Sequence, residues 1–195
     1  MKPAVLLLLL LDFALITALP RVFFMRSGTF NVRWWSTALP VGLCPTLVVA
    51  CQLLDLRPVT PAAWLPVTGL VAIVLFTGSI ALIALTLGTH WVPIALWHQS
   101  NDDPQHIVTW GAYRRIRHPF YTSFLLAFTG ALLAFPHWIT LALLIYMAVM
   151  LNVVAAKEEH KLRASEFGAQ YHDYMTRTGR FLPRWTRPVD QEARA

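Results

Sequence analysis

Residues 111–135 read GAYRRIRHPFYTSFLLAFTGALLAF, a basic and aromatic segment joined directly to an apolar run. The first eleven of these residues contain three arginines, one histidine and two tyrosines. The apolar run begins within this segment, at Phe120, and extends to Phe135; it carries no charge and is the fourth of five apolar runs in the chain. A cationic segment at the mouth of an apolar helix predicts a site for an anionic or polar ligand beside a membrane.

The composition is typical of a membrane protein. Of its 195 residues 56% are hydrophobic and only 13% are charged, and the mean hydropathy is +0.53. Helices of about 20 apolar residues cross a bilayer core of roughly 30 Å. We therefore predict an all-α polytopic helical bundle with about five transmembrane helices. The predicted spans are residues 1–19, 36–54, 62–87, 120–135 and 137–156.

Some residues within the first three spans shape the expected packing. The first run is similar to a signal peptide, but its poor cleavage site and the spans that follow favour an uncleaved helix. Asp12 lies in this run, where a carboxylate is costly unless paired, so we expect interfacial exposure or a hydrogen bond to a neighbouring helix. Pro40 and Pro45 are expected to interrupt the second span. Gly69 and Gly78 are expected to permit close helix approach in the third.

The distribution of basic residues predicts the orientation. Five crossings would put fourteen of the sixteen lysines and arginines on one side of the membrane. Because cytoplasmic segments are enriched in these residues, we expect a multi-pass protein of the cytoplasmic (inner) membrane, its N-terminus outside and its C-terminus cytoplasmic. This orientation explains the net charge of +6 without nucleic acid. The two cysteines, Cys44 and Cys51, form no disulfide framework or zinc spacing.

Three segments follow from these spans. Residues 1–61 are predicted to hold the first two helices, residues 62–187 to form the functional core, and residues 188–195 to be a disordered tail. The core comprises helices three to five, a motif loop at 90–119 and a C-terminal helix at 157–187. Since the loop and the C-terminal helix share the cytoplasmic face, they can meet. Taken alone, that meeting is equally compatible with a structural salt-bridge cluster touching lipid phosphates.

Metal and nucleotide chemistry receive no support from the motifs. His90, His98 and His106 recur every eight residues, but Pro93 and Pro104 intervene, so they share no helical face. The chain has no His-x-x-His-His box and no Glu-x-x-His pair, which argues against a membrane di-iron oxygenase. It also has no Gly-x-Gly-x-x-Gly or Walker-type loop. We predict no metal and no nucleic acid among the partners.

The residues that remain carry a resemblance. The stretch Gly111–Tyr121, a helical hairpin, Lys-Glu-Glu at 157–159, Phe-Gly at 167–168, and Tyr171 and Tyr174 follow one another in that order. This pattern resembles the isoprenylcysteine carboxyl methyltransferase family, and the related phospholipid methyltransferases share it. The resemblance covers roughly residues 65 to 185. It implies S-adenosylmethionine bound at the cytoplasmic face, in a pocket formed by the loop before helix four and the C-terminal helix.

The resemblance also implies cofactor-binding positions. The positions that match the family comprise four motif residues, a loop backbone, one of two adjacent glutamates, and a polar position ahead of the motif. They are Tyr113, His118, Pro119 and Tyr121; Ile107 and Val108; Glu158 or Glu159; and Gln105 with His106. Two positions depart from the family. Gln105 stands where a histidine is common, with His106 one place away, and Val154 and Ala155 stand where the family tends to place an acceptor-holding arginine.

The implied activity is methyl transfer to a lipophilic acceptor, which could be a small molecule, a lipid or a lipidated peptide entering between helices. A carboxylate acceptor is favoured, and no catalytic residue is assigned, because the displacement needs alignment and water exclusion more than acid–base groups. One alternative is N- or S-methylation of a phospholipid amine or a small thiol. The other is a non-enzymatic membrane scaffold whose basic loop binds lipid headgroups.

Overall fold

The computed structural model describes residues 1–18, 29–89 and 107–184, and these parts of the chain are almost entirely helical. The six helices are α1 (Pro3–Thr17), α2 (Val32–Leu53), α3 (Leu65–Thr89), α4 (Pro119–Ala134), α5 (Trp138–Arg163) and α6 (Gly168–Arg177). Short 3₁₀ turns occupy Ala62–Trp64 and Gly111–Arg114. The predicted all-α fold is confirmed. The predicted tail, most of the predicted motif loop, and Gln105 and His106 lie outside the described residues.

Three of these helices, α2, α3 and α5, are long and apolar enough to cross a membrane. The two other apolar helices, α1 and α4, have 15 and 16 residues. At 1.5 Å per residue each of these two spans only about 24 Å, less than a bilayer core. The apolar helices fit a membrane protein. The number of crossings and the orientation of the termini stay predictions.

Helix α2 continues through both prolines, so the expectation that they interrupt the second span is wrong. Pro40 has no N–H and cannot donate to the carbonyl of Ser36, one turn earlier. The hydroxyl of Tyr146 on α5 donates to that carbonyl at 2.9 Å. A neighbouring helix thus supplies a hydrogen-bond donor where the proline has none, which is how membrane helices tolerate proline. The two cysteines of α2 are buried free thiols.

The most extensive helix pairing joins α3 to α4, and it centres on an aromatic side chain packed over a glycine. A Cβ placed on Gly130 would lie 2.8 Å from the ring of Phe76, which is fully buried. Phe128 on the same helix packs edge-on against Phe13 of α1. Cβ atoms placed on Gly69 or Gly78 would meet only ordinary van der Waals contacts. The close approach predicted at those two glycines occurs instead at Gly130.

Replacing Gly130 by alanine is expected to destabilise the protein by about 1–3 kcal/mol, because the added methyl group forces Phe76 out of its place. Gly42 offers a matched control, since it lies in α2 with nothing within 4 Å of its Cβ position. Alanine at position 42 should leave the midpoint of thermal unfolding unchanged or raise it, because alanine has a better helix propensity than glycine. Thermal unfolding of both variants in one detergent measures the difference. Equal midpoints would contradict this account of the α3–α4 interface.

Asp12 takes the second of its two expected arrangements. It is fully buried, and the hydroxyl of Ser79 on α3 lies 2.9 Å from its Oδ1 atom. The same hydroxyl lies 2.9 Å from the carbonyl oxygen of Ser123 on α4. The acidic group therefore forms a polar link between α1, α3 and α4, in keeping with the rule that polar groups at this depth pair with one another.

The described residues after α5 fold back against the start of α4. Helix α5 ends at Arg163, and α6 begins at Gly168. A Cβ on Gly168 would lie 2.4 Å from the carbonyl oxygen of Arg163, which leaves no room for a side chain at this turn. After α6 the chain continues as a non-helical segment, residues 178–184, which we call the strap.

Candidate functional site

The strap supplies hydrogen-bond partners for the backbone of Gly111–Tyr121, the basic motif. Ile116 and Gly179 form an isolated parallel bridge. The N–H of Arg117 donates to the carbonyl of Gly179 at 2.8 Å, and the N–H of His118 donates to the carbonyl of Arg180 at 3.1 Å. These groups lie just before α4, outside any helix, so their N–H groups need partners from elsewhere. The motif therefore has a fixed backbone only when the C-terminal residues are in place.

The other end of the motif is fixed to α3. Gly111 adopts φ = +58°, a left-handed conformation that favours glycine. A Cβ at this position would also lie 2.2 Å from the hydroxyl of Thr89, at the end of α3. That hydroxyl accepts a hydrogen bond from the N–H of Ala112 at 3.1 Å. The motif glycine is thus required by its conformation and by the close passage of α3.

Glu159 on α5 is the centre of a buried ion cluster. Its side chain is 1% exposed. The Nε of Arg117 donates to its Oε1 at 2.9 Å, while Arg180 donates from Nε to Oε1 at 3.1 Å and from Nη2 to Oε2. Arg117 also donates to the carbonyl oxygens of Met175 and Thr178. One carboxylate therefore holds together the motif, α5 and the strap.

Glu158, the neighbouring residue, has different partners. Its Oε1 accepts a hydrogen bond from the hydroxyl of Tyr121 at 2.8 Å, and its Oε2 lies 3.5 Å from Nδ1 of His118. The rings of His118 and Tyr121 lie nearly parallel, with centroids 5.4 Å apart. The two adjacent glutamates thus have separate roles, one bound by arginines and one facing aromatic rings.

His118 lies between the two carboxylates. Its Nε2 atom is 3.3 Å from Oε1 of Glu159, but the geometry does not meet that of a hydrogen bond. In the part of the chain that the structure describes, this buried nitrogen therefore has no hydrogen-bond partner. The side chain is only 8% exposed. A buried polar atom without a partner is uncommon and often marks a functional position.

Tyrosines from α6 close the same side of the motif. The hydroxyl of Tyr174 donates to the carbonyl of Tyr113 at 2.6 Å. Burial, with the nearby Glu158 carboxylate, raises the pKa of Tyr113 to about 12. Burial likewise raises the pKa values of Tyr171 and Tyr174, so all three phenols stay protonated and neutral at physiological pH.

The structure brings together five of the residues singled out in the sequence. They are His118, Pro119, Tyr121, Glu158 and Glu159. Tyr113 lies beside them, held by Tyr174. Ile107 and Val108 are half-buried, just ahead of the 3₁₀ turn. Among residues 1–18, 29–89 and 107–184 there is no group of three metal-ligating side chains.

Sequence reasoning missed the arginines that define the cluster. Arg117 was visible within the motif, but nothing distinguished it from its neighbours Arg114 and Arg115, which are exposed. Arg180 lies in a segment without helical periodicity, so no pattern placed it near α5. Its adjacency to Gly179 is the signal that was available: a Cβ there would lie 1.9 Å from the carbonyl of Leu182, as expected of a tightly folded strap.

Part of the chain matches a model of a known protein family. Residues 96–170 match the model described as phospholipid methyltransferase. The match includes the motif, α4, α5 and the start of α6, and so all of the cluster except Arg180 and the strap. No curated protein matches the chain. Over residues 96–170 the chain is similar to the phospholipid methyltransferases, a family of integral membrane methyltransferases.

Proposed function

We propose that the protein transfers a methyl group from S-adenosylmethionine to a lipophilic acceptor at the cytoplasmic face of the membrane. The observation that carries the proposal is the buried group formed by His118, Tyr121 and Glu158 where the basic motif enters α4. The match of residues 96–170 to a methyltransferase family supports the reaction class. The donor and the acceptor are our inference from the side chains.

The residues present fit the donor. S-adenosylmethionine carries an ammonium group, a carboxylate, a ribose and an adenine. Glu158 is a carboxylate that faces His118 and Tyr121, and a carboxylate suits the ammonium group or the ribose hydroxyls. Tyr113 and Tyr121 offer aromatic faces to the adenine. The buried Nε2 of His118, which has no hydrogen-bond partner, is a further polar contact for the donor.

The residues of the chain position the reactants, provide charged groups and exclude water. When bound, S-adenosylmethionine supplies a methyl group on a positively charged sulfur. The Arg117–Glu159–Arg180 cluster fixes the loop on which His118 lies. Burial of His118 and Glu158 excludes water, which strengthens electrostatic contacts within the site. Such a site acts by holding two reactants in line.

A carboxylate is the acceptor that this chemistry suits best, because it needs no general base. Glu159 is neutralised by two arginines, and Glu158 already accepts a hydrogen bond from Tyr121. Neither glutamate is well placed to remove a proton from an amine or a thiol. The product would then be a methyl ester of a lipophilic acid.

A phospholipid amine is the second candidate, and the description of the matching family favours it. An ammonium group must lose a proton before it can be methylated. His118 could accept that proton at Nε2, the nitrogen without a hydrogen-bond partner. This route would make His118 a general base rather than a contact residue.

Membranes that contain the protein, supplied with methyl-labelled S-adenosylmethionine, test the two acceptors. We expect label in the lipid extract, released as methanol by mild alkali, as for a methyl ester. Label that resists alkali would identify a methylamine or thioether and exclude the ester. Membranes lacking the protein provide the background. No labelled product, together with no binding of the donor or its demethylated product by calorimetry, would remove the proposed function altogether and leave the lipid-binding scaffold.

A further inference from the structure

We propose that Arg180 is a positioning residue for the donor site: through Glu159 and its own backbone it sets the place of His118. This inference rests on the proposed function. Arg180 lies outside the segment that matches the family model, in the strap that follows α6. Its role is therefore argued from the contacts of this chain alone.

Arg180 reaches the site by two routes. Its carbonyl accepts the N–H of His118 at 3.1 Å, so the backbone of Arg180 holds the backbone of His118. Its guanidinium donates to both carboxylate oxygens of Glu159, whose Oε1 lies 3.3 Å from Nε2 of His118. A displacement of Arg180 would therefore move both the main chain and a neighbouring charge of His118.

The guanidinium also extends along α5. Its Nη1 donates to the amide oxygen of Asn152 at 2.7 Å, while Nε and Nη2 are bonded to Glu159. Asn152 and Glu159 are seven residues apart, about two turns of helix, so they lie on one face of α5. A planar group that spans two such partners fixes its own orientation, as a lysine ammonium could not.

The exposure of the three charged groups suggests what depends on Arg180. Glu159 and Arg117 are 1% and 9% exposed, whereas Arg180 is 32% exposed. Without Arg180, Glu159 keeps Arg117 as a counter-ion, and the strap keeps its bridge between Ile116 and Gly179. Since these contacts remain, we expect the fold to survive the loss of the Arg180 side chain. The carboxylate of Glu159 would no longer be held in a fixed position beside the imidazole of His118.

The experiment compares Arg180→Ala with Arg177→Ala in the full-length protein. Arg177 is the matched control, because it lies three residues away in an exposed i,i+4 pair with Asp173 on α6. Two measurements are made: the dissociation constant of S-adenosylhomocysteine by calorimetry, and the imidazole ¹⁵N signal of His118, assigned from its absence in His118→Gln. The unfolding midpoint of each variant is recorded in the same detergent.

We expect Arg180→Ala to weaken binding about tenfold or more, the effect of losing about 1.4 kcal/mol of preorganised contact. The His118 signal should shift in this variant and not in Arg177→Ala, and the two midpoints should be similar. Arg180→Lys should restore only part of the affinity, since it cannot bridge Asn152 and Glu159 together.

Two results would overturn the inference. One is an unchanged His118 signal and unchanged affinity in Arg180→Ala. The other is a loss of affinity that appears only with a large fall in the unfolding midpoint, which would indicate a purely structural residue. Failure of the proposed function is distinguishable, because the wild-type protein would then bind no S-adenosylhomocysteine. The His118 signal would still report whether Arg180 positions that side chain.

Discussion

Replacing Glu159 by glutamine is expected to destabilise the protein by about 3 kcal/mol, the lower end of the cost of breaking a buried ion pair. The substitution removes the carboxylate to which Arg117 and Arg180 both donate. Arg180 is a third exposed and can regain water, but Arg117 is 9% exposed and cannot. The penalty therefore comes mainly from Arg117, left as a buried charge without its counter-ion.

The neighbouring substitution should behave in the opposite way. Glutamine at 158 keeps an oxygen that can accept a hydrogen bond from the hydroxyl of Tyr121. We expect little change in the unfolding midpoint. Affinity for S-adenosylhomocysteine should fall about 10- to 100-fold, because a charge-assisted hydrogen bond to the donor contributes about 1.5–3 kcal/mol.

Denaturant unfolding and calorimetry in one detergent separate these two effects. Glu166→Gln, an exposed glutamate in the turn after α5, serves as the control for loss of one negative charge. If Glu159→Gln kept its stability and lost more affinity than Glu158→Gln, then Glu159 would be the donor's carboxylate contact. The division of roles between the two glutamates would then be wrong.

The apolar runs predicted the helices of this structure. Each run forms a helix, in which the backbone groups of an apolar segment are satisfied within the segment itself. The expectation that the motif loop and the Glu-Glu segment share one side anticipated the contact between His118 and Glu159. That inference needed no detail of packing, only the side on which each segment lies.

The remaining features depend on tertiary contacts that leave no local pattern. Pro40 reads as an interruption until Tyr146 of another helix bonds the carbonyl of Ser36. The close approach of α3 and α4 occurs at Gly130 because Phe76 happens to lie opposite. Arg180 joins the cluster because the chain reverses after α6. Each outcome is decided by a partner distant in sequence.

Removing the imidazole of His118 is expected to lower kcat/KM at least about 100-fold, the effect of misplacing reactants by about 1 Å. In the native site this ring fills the space between Glu158 and Glu159 and stacks on Tyr121. His118→Ala removes the stack and brings two carboxylates into one cavity. The measurement is methyl transfer from labelled S-adenosylmethionine at several donor concentrations.

The loss should not result from unfolding. The backbone of His118 is held independently of its side chain, since its N–H donates to Arg180 and its carbonyl accepts the N–H of Thr122 at 3.0 Å. His160→Ala is the control, a histidine one residue beyond Glu159 on α5 whose side chain is exposed. It should keep full activity and an unchanged midpoint. Equal losses in both variants would contradict a specific role for His118.

The pH profile of His118→Gln then decides which acceptor the site serves. Glutamine keeps a polar group in the same cavity but cannot take up a proton. If the acceptor is a carboxylate, the ring only positions the reactants, and the residual activity should follow the same pH profile as the wild type. If the acceptor is an amine, the buried Nε2 of His118 accepts its proton, and the variant should lose one limb of the wild-type profile. An unchanged profile with an alkali-labile product would establish the ester, whereas a lost limb with an alkali-stable product would establish the amine.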